Sequence, residues 1–516
     1  MIKKLQLTKE SVIISAILLL AAFLRLYNIN GFLVFLGDEG RDVLTAYNIL
    51  HGHLTLLGPT SSVGGFFLGP FYYYLIAPFL LLFNYDPVGP AVMIAFFGIL
   101  TVYFVYKITN EFFGKPAGLF ASALYAVSPL VIQYSQSSWN PNLMPIATLI
   151  LLYLLYKSVN NRKQKYFFIV GLLYGICMQL HYLEVFVGVV ILLYTAFGIY
   201  KLNPSKSKNI RMILQSYVSI FVGFIISFSP FLLFEVRHNF LNTRNIIMFI
   251  FASKDAGPGG NYVTIVFTVL FRLFARLMVD FPLAQDLKLY SITILIIWGA
   301  VGVLIGIFSI FALFKIKNKQ MFYLLLFWLF ISILLFGFYK KQIYDYYFEF
   351  LYPLPFMLFG GGLALLYKNA KQNPVKKSII LIIFFLLFLF SLYRADPIFK
   401  QANHQKDQAK TIADFVLSKT DNKPFNFALI TGGNSDYAYR YYFTIENHPP
   451  VTILNPSQDP MRKSVTSQLL VVCESLPCSP LGYSLWEVAG FGRANIVGSW
   501  NVSVVKVYKL DHYTGY

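Results

Sequence analysis

Long apolar stretches separated by short polar segments dominate the first 395 residues of the chain. A helix needs roughly 20 predominantly apolar residues to cross a bilayer, so this pattern predicts a polytopic α-helical membrane protein of about eleven spans. The predicted spans centre on residues 11–28, 88–107, 116–134, 143–157, 166–181, 184–200, 212–234, 290–314, 321–338, 350–367 and 378–393. The Tyr-rich run at 69–83 is shorter and contains Pro78. It is predicted to be a helix at the outer membrane interface.

The pattern changes after residue 395. Ile412, Phe415 and Val416 recur at helical spacing, which predicts an amphipathic helix. Three further runs are typical of strands: FNFALITGG, SQLLVVCES and WNVSVVKVYKL. We therefore expect two domains, a multi-span domain at 1–395 and a small α/β domain at 396–516. The first domain has a long outer loop at 29–87.

Composition excludes the soluble class, because 57% of the residues are hydrophobic and only 13% are charged. The net charge of +19 does not indicate nucleic acid as a partner. Many Lys and Arg residues instead lie in short loops between predicted spans, which is the signal for the cytoplasmic side. This places the N-terminus inside and, with an odd number of spans, the C-terminal domain outside. Cys473 and Cys478 are then able to form a disulfide, because their segment would be exported.

With this orientation, several spans bring polar residues to the outer face. Directly after the first span, LGDEGRD supplies Asp38, Glu39, Arg41 and Asp42. The other outer segments are SQSSWNPN with Asn140, HYLE with His181 and Glu184, FEVRHNF with Arg237 and His238, and YDYYFEFLYP with Asp345 and Tyr346. Ionisable residues at membrane depth indicate function, so these segments make up the candidate site.

Each of these segments also has a purely structural interpretation. Acids at a helix start interact favourably with the helix dipole, and Asn140 before a proline is typical of a turn. Asp345 is flanked by tyrosines, as in an aromatic belt. His181 and Glu184 are candidate metal ligands, but two ligands do not make a site. Arg237 and His238 are either interfacial charges or an anion clamp for phosphate.

Five stretches together resemble the GT-C glycosyltransferases. More narrowly, they resemble glycosyltransferase family 39, with its protein O-mannosyltransferases and aminoarabinose transferases of lipid A. The resemblance covers about residues 10–395. The stretches are Asp38-Glu39 with Arg41, GPFYYYLIAPFLLLFN at 69–84, EFFGKPAGLFASALYAVSP at 111–129, GICMQLHY at 175–182 and YYFEFLYPLP at 346–355.

The resemblance implies a sugar donor carried on a polyprenyl phosphate and transfer with inversion on the outer face of the cytoplasmic membrane. The acceptor is a glycan, a lipid or a protein. Asp38 takes the place of the general base, and Glu39 assists it. The candidate substrate-binding residues are Arg41, Asp42, Pro70, Tyr72, Asn140, His181, Arg237, His238, Asp345 and Tyr346.

The leaving phosphate of such a reaction needs positive charge. Where many relatives have a His-Pro-Pro or Lys-Pro-Pro motif before the aromatic segment, this chain has Leu68-Gly69-Pro70. Arg237, His238, Lys340 and Lys341 are therefore the candidates for that charge, and a divalent metal is the alternative. The sequence does not identify a cofactor.

Two other functions fit part of the pattern. A transporter of lipid-linked saccharides places charges near the bilayer midplane and often has repeated halves, whereas this sequence has no internal repeat and gathers its charges at one face. An O-antigen polymerase or ligase relies on Arg and His in a large mid-chain outer loop. The loop at 235–289 supplies Arg237, His238, Arg244, Arg272 and Arg276, so the second alternative stays open.

Overall fold

The structure is a computed structural model. It describes residues 8–515 except 62–64, 203–205, 252–260, 340, 371–372, 396 and 398–399.

The first part of the chain is almost entirely helical. Its earlier helices are α1 (Lys9–Leu26), α2 (Ile29–Phe32), α3 (Gly37–Leu50), α4 (Phe71–Leu82), α5 (Val88–Phe113), α6 (Lys115–Val127), α7 (Pro129–Tyr134), α8 (Met144–Asn161), α9 (Gln164–Leu180), α10 (Val185–Leu202) and α11 (Lys206–Arg237). Its later helices are α12 (Leu241–Phe251), α13 (Tyr262–Phe271), α14 (Leu277–Val279), α15 (Ile292–Phe314), α16 (Lys319–Phe336), α17 (Pro353–Asn369) and α18 (Pro374–Ala395). The short 3-10 and π-helical segments are Asn140–Leu143, Tyr182–Glu184, Arg272–Arg276, Ala284–Leu289 and Asp345–Leu351.

Eight helices in the described part of the chain are long and apolar enough to cross a membrane. A ninth is obtained if Asp345–Leu351 and Pro353–Asn369, which meet at 53°, form one span. The expected fold class, a polytopic helical membrane protein, is confirmed, although the predicted number of about eleven is higher.

The structure has fewer candidate spans than the sequence predicts, and the causes are local. α1 contains three charged residues, and α9 has only 17 residues. The predicted span at 116–134 is divided into α6 and α7 at Ser128-Pro129, because proline disfavours helical backbone in the residue before it. Conversely, the apolar stretch Tyr262–Val279 is a candidate span that the sequence pattern did not reveal.

The C-terminal part contains a four-stranded mixed sheet. Its elements are α19 (Gln405–Ser418), β1 (Asn426–Ile430), α20 (Tyr437–Ile445), β2 (Gln468–Cys473), α21 (Trp486–Phe491), β3 (Ala494–Val502) and β4 (Val505–His512). The strand order is β1-β2-β4-β3, with β1 parallel to β2 and the other pairs antiparallel.

Two sequence expectations about this domain have clear outcomes. The run WNVSVVKVYKL is a hairpin and not one strand: it turns at Ser503, whose φ of 52° interrupts the extended backbone between β3 and β4. Cys473 and Cys478 form a disulfide, as expected.

α20 packs directly against α3, which joins the C-terminal domain to the first outer loop. Gly40 makes the contact possible, because a Cβ at this position would lie 2.3 Å from the backbone nitrogen of Ala438. Lys406, at the start of α19, adds an ion pair with Asp86 at 2.9 Å. The beginning of α3 is therefore held between the membrane helices and the C-terminal domain.

Candidate active site

The first turn of α3 carries the charges of LGDEGRD. Glu39 turns back along the helix, and its Oε2 accepts a hydrogen bond from the Leu36 N–H at 3.0 Å, as the acid of a capping box does. Only 7% of Glu39 is exposed. Burial raises the pKa of its carboxyl to about 8. Glu39 is therefore part of the helix cap. At neutral pH its carboxyl is protonated in most molecules.

Arg41 joins the other two acids of this turn. Its Nη1 lies 2.8 Å from Asp38 Oδ1, and its Nε and Nη2 lie 3.0 and 2.8 Å from Asp42 Oδ1. Asp42 is completely buried, and burial raises the pKa of its carboxyl to about 7 although Arg41 acts in the opposite direction. The side chain of Asp38 is 51% exposed. Of these three acids, Asp38 is the one that solutes can reach.

Asp38 lies where two cavities meet. The large cavity, of about 410 Å³, is lined by Asp38, Glu39, Tyr134, Trp139 and, from the C-terminal domain, 433–435. The small cavity, of about 40 Å³, has Asp38 and Trp139 in common with it. Predicted site residues that also line the small cavity are Arg41, Asn140, His181 and Tyr346. The structure thus brings five predicted residues, from four separate segments, around one space.

Aromatic rings and a buried amide shape the small cavity. Trp139 and Tyr346 pack with their ring centroids 4.3 Å apart, and His181 stacks on Tyr182 at 4.7 Å. Asn140 is buried, and its Nδ2 donates to the Leu180 carbonyl at 2.5 Å. Asn140 therefore fixes the end of α9 at the cavity, in addition to forming the turn that its neighbouring proline indicates.

Asp345 is not a simple belt residue, because two arginines from Arg272–Arg276 hold it. Arg272 Nε lies 3.0 Å from Asp345 Oδ1, and Arg276 Nε pairs with Oδ2. These two arginines lie four residues apart on a π-helical turn, a local geometry that is frequent at functional sites. Arg276 also lies 4.0 Å from Asp280, which pairs with Arg394 at 2.7 Å. Three arginines on two carboxylates leave a net positive charge close to Tyr346 in the chain.

An apolar groove lies among the membrane helices close to this cluster. It has a volume of about 900 Å³ and lies between α15, α17 and α18. Trp298 and Val279 are among its lining residues. Arg394, which pairs with Asp280 beside Arg276, lies 5.4 Å from the centre of the Trp298 ring. The groove therefore lies close to the arginine cluster.

Other predicted site residues lie outside the two cavities. Tyr72 is fully buried and bonds the Ser138 hydroxyl at 2.7 Å, and Pro70 is the residue that precedes α4. Arg237 and His238 are exposed at the end of α11, and His238 stacks on Phe234. These two residues line neither cavity.

The candidates for metal and phosphate binding are also separated. Glu184 accepts a hydrogen bond from Thr148 on α8, and it does not line the cavity to which His181 belongs. Within the described ranges, no three His, Cys, Asp or Glu residues form a possible ligand group. Lys341 lies 5.5 Å from the Phe249 ring, and Lys340 is outside the described residues.

Comparisons with known proteins address the family and the fold of the chain. The family model of dolichyl-phosphate-mannose-protein mannosyltransferases matches residues 68–234. ArnT from Cupriavidus metallidurans, solved with bound undecaprenyl phosphate, is 12% identical, with a TM-score of 0.60 over 96% of this chain and 97% of that one. About a third of the chain thus matches a mannosyltransferase family model, and nearly the whole chain has the fold of ArnT. These matches agree with the family resemblance and with the enzyme class expected from the sequence, a glycosyltransferase with a sugar donor on a lipid phosphate.

A second solved structure shares the fold over a smaller part of its own length. The archaeal oligosaccharyltransferase AglB from Archaeoglobus fulgidus, in complex with an inhibitory peptide and a dolichol-phosphate, is 14% identical. The match covers 90% of this chain and 69% of AglB, with a TM-score of 0.56. No curated protein matches this chain by sequence.

Sequence reasoning missed two groups of residues at this site. Gly433, Asn434 and Ser435 come from the C-terminal domain, from which we selected no candidate residue. Trp139 was within a segment that we selected, but only the structure shows that it lines both cavities. The double glycine after β1, in the run LITGGNS, was the one available signal for the first group.

Proposed function

We propose that this enzyme transfers a sugar from a polyprenyl-phosphate donor to an acceptor hydroxyl on the outer face of the cytoplasmic membrane, with inversion and with Asp38 as the general base. The observation that carries the proposal is the position of Asp38. Its half-exposed carboxylate lies between a cavity that the C-terminal domain completes and a cavity lined by Tyr346, which follows Asp345 of the arginine cluster in the chain.

Inversion requires the acceptor and the leaving group to lie on opposite sides of the anomeric carbon. The acceptor oxygen attacks that carbon, its proton passes to Asp38, and the carbon–oxygen bond to phosphate breaks with its electron pair on the phosphate. A general base contributes roughly 10²- to 10⁴-fold in rate. Arg41 bonds Asp38 through Oδ1, so Oδ2 is the atom that we assign to the proton.

The other acids of α3 are less suited to this role. Glu39 is engaged in the helix cap and keeps its proton at neutral pH, because burial raises its pKa to about 8. Asp42 is fully buried against Arg41. We therefore assign Glu39 to holding the helix start, and Asp42 to orienting Arg41.

The phosphate of the donor gains charge as it leaves, and charge-assisted bonds to Arg suit it best. The net positive cluster of Arg272, Arg276 and Asp345 lies next to Tyr346, which lines the small cavity. The adjoining apolar groove matches the chemistry of an isoprenoid tail. The carriers named for the similar structures, undecaprenyl phosphate for ArnT and dolichol-phosphate for AglB, are lipids of this kind.

The proposal is tested by transfer assays with the purified, full-length enzyme in proteoliposomes. Polyprenyl phosphates carrying different radiolabelled sugars are supplied one at a time, and release of the free polyprenyl phosphate is measured. We expect consumption of at least one donor that depends on Asp38. A polymerase or ligase that depends on the arginines of 235–289 would instead keep its activity in Asp38→Asn and lose it in Arg237→Met and Arg244→Met.

A further inference from the structure

The outer wall of the large cavity is formed by the loop 433–435, which follows β1 of the C-terminal domain. Asn434 attaches this loop to the start of α3, because its Oδ1 accepts a hydrogen bond from the Gly37 N–H at 2.9 Å. Gly37 directly precedes Asp38. The loop is therefore fixed beside the proposed base, although it lies nearly 400 positions away in the sequence.

A carboxylate of the C-terminal domain, that of Glu474, also holds the loop 433–435 in place. Asn434 Nδ2 donates to both oxygens of Glu474 at 3.1 and 3.2 Å. The hydroxyl groups of Tyr439 and Thr431 donate to the same carboxylate, each at 2.8 Å. Glu474 thus accepts hydrogen bonds from three side chains around the loop, and the wall has a defined shape and is not a loose lid.

The lining of the large cavity combines polar side chains with aromatic rings and the aliphatic side chains of Val34 and Leu36. Its described side chains include carboxylates, amides, hydroxyls and two large rings, and they include no Lys, Arg or His. The amides and hydroxyls belong to Gln133, Asn142, Asn434, Ser137 and Ser435. Phosphate sites, in contrast, use Arg or Lys. A phosphate in this cavity would meet the carboxylate of Asp38 without a cation from the lining to balance it.

We infer that the large cavity binds an uncharged carbohydrate as the acceptor, and that the loop 433–435 decides which carbohydrate enters. This inference rests on the proposed function, which makes Asp38 the group that takes the proton of the acceptor. Trp139 and Tyr134 offer flat surfaces for the C–H face of a sugar ring, while the amides and hydroxyls bond its hydroxyl groups. The volume of about 410 Å³ is within the usual range for ligand pockets.

Two neighbouring glycines allow a matched pair of variants. A Cβ at Gly433 meets no atom within 4 Å, so Gly433→Leu adds its side chain at the cavity wall without a clash at Cβ. A Cβ at Gly432 meets only Ser475 Oγ at 3.5 Å, which is ordinary contact, and Gly432 does not line the cavity. Gly432→Leu therefore controls for any general effect of leucine in this loop.

Binding is measured by saturation-transfer NMR on the full-length enzyme in nanodiscs. The probes are methyl glycosides of common hexoses, pentoses and N-acetylhexosamines, the 6-phosphates of the hexosides, and a peptide rich in Ser and Thr. We expect at least one neutral glycoside to bind to the wild type and to Gly432→Leu, with at least tenfold weaker binding to Gly433→Leu. The phosphorylated forms should bind at least tenfold more weakly than the neutral ones.

Three results would overturn the inference: tighter binding of the phosphorylated glycosides, binding of the peptide without any glycoside, or equal binding of glycosides to the two leucine variants. Absence of binding by every neutral glycoside would also contradict it. This readout does not depend on the donor. A failure of the proposed function would appear separately, as no consumption of any polyprenyl-phosphate sugar by the wild-type enzyme.

Discussion

Two charged clusters at the site both pair arginine with aspartate, but in opposite ratios. In the first turn of α3, one guanidinium, Arg41, binds two acids, Asp38 and Asp42. At the start of the bent helix pair, one carboxylate, Asp345, binds two arginines. The first arrangement leaves an excess of negative charge and an accessible carboxylate. The second leaves an excess of positive charge.

In the proposed mechanism, this difference separates the two requirements of sugar transfer within a mostly apolar protein. A base must accept a proton from the acceptor, and a cation must stabilise the departing phosphate. Each charge also needs a partner, because an isolated ion buried at membrane depth is unfavourable. A two-to-one cluster satisfies both conditions, since every buried ion is paired and one charge remains for the reaction.

The comparison requires that both clusters lie on the same, outer side of the membrane, and topology offers an all-or-none test. Single cysteines in the loops 157–165, 201–211 and 368–377 are expected to resist an impermeant thiol reagent in intact cells, because these Lys-rich loops are predicted to be cytoplasmic. A cysteine at exposed Asp414 of α19 provides the outer control and should be labelled. Labelling of the Lys-rich loops would reverse the orientation.

Removal of the accessible acid should have the largest effect on rate. Asp38→Asn keeps the size of the side chain but not its ability to take a proton, so we expect at least a 10²-fold loss of transfer, the low end for a general base. Asp414→Asn is the control, since Asp414 is an exposed acid paired with Lys410 at 3.0 Å. Turnover near that of the wild type in Asp38→Asn would exclude Asp38 as the base.

Removal of one arginine should have a smaller effect, because the other remains. We expect Arg276→Lys to lower kcat/KM for the donor by about tenfold, since lysine keeps the charge but not the fork that holds Asp345. Arg276→Met should lower it further and also lower the melting temperature, because the buried Asp345 loses one of its two partners. Unchanged donor kinetics in both variants would remove this cluster from the leaving-group side.

The smallest expected effect concerns Glu39 and the pH dependence of stability. Between about pH 5 and 8, buried Glu39 keeps a proton that the unfolded chain releases, since burial raises its pKa to about 8. The free energy of unfolding therefore falls as the pH rises through this range. Glu39→Gln removes this contribution and keeps an acceptor for the Leu36 N–H, so its melting temperature should fall less between pH 5 and 8. The same slope of melting temperature against pH in the wild type and in Glu39→Gln would contradict a proton on the buried Glu39 carboxyl.

Much of this architecture could be predicted from sequence because its signals are local. The apolar runs indicated the membrane helices, and LGDEGRD indicated a charged helix start, since each pattern lies within one element. The contacts of Asp345 could not be predicted in the same way. Its neighbours in the chain are tyrosines, and the arginines that bind it lie 73 and 69 positions away.

The wall of the large cavity illustrates the same limit at a longer range. Asn434 and Gly37 are 397 positions apart, and nothing in either segment specifies the other. Whether two such segments meet depends on how α20 packs on α3. That packing depends on the shapes of the two helix surfaces, which the hydrophobic periodicity of the sequence does not specify. The general class of the enzyme was therefore accessible from sequence, whereas the composition of its cavities required the folded structure.

The most direct test of the central claim is an azide rescue of Asp38→Ala. Azide carries no proton that a base must remove, so it can attack the anomeric carbon without Asp38 while the bond to phosphate breaks. We predict that azide restores donor consumption in Asp38→Ala and yields a glycosyl azide of inverted configuration, with no comparable gain in Arg276→Met. A retained configuration, or no azide product although the variant still binds the donor, would contradict Asp38 as the base of an inverting transfer.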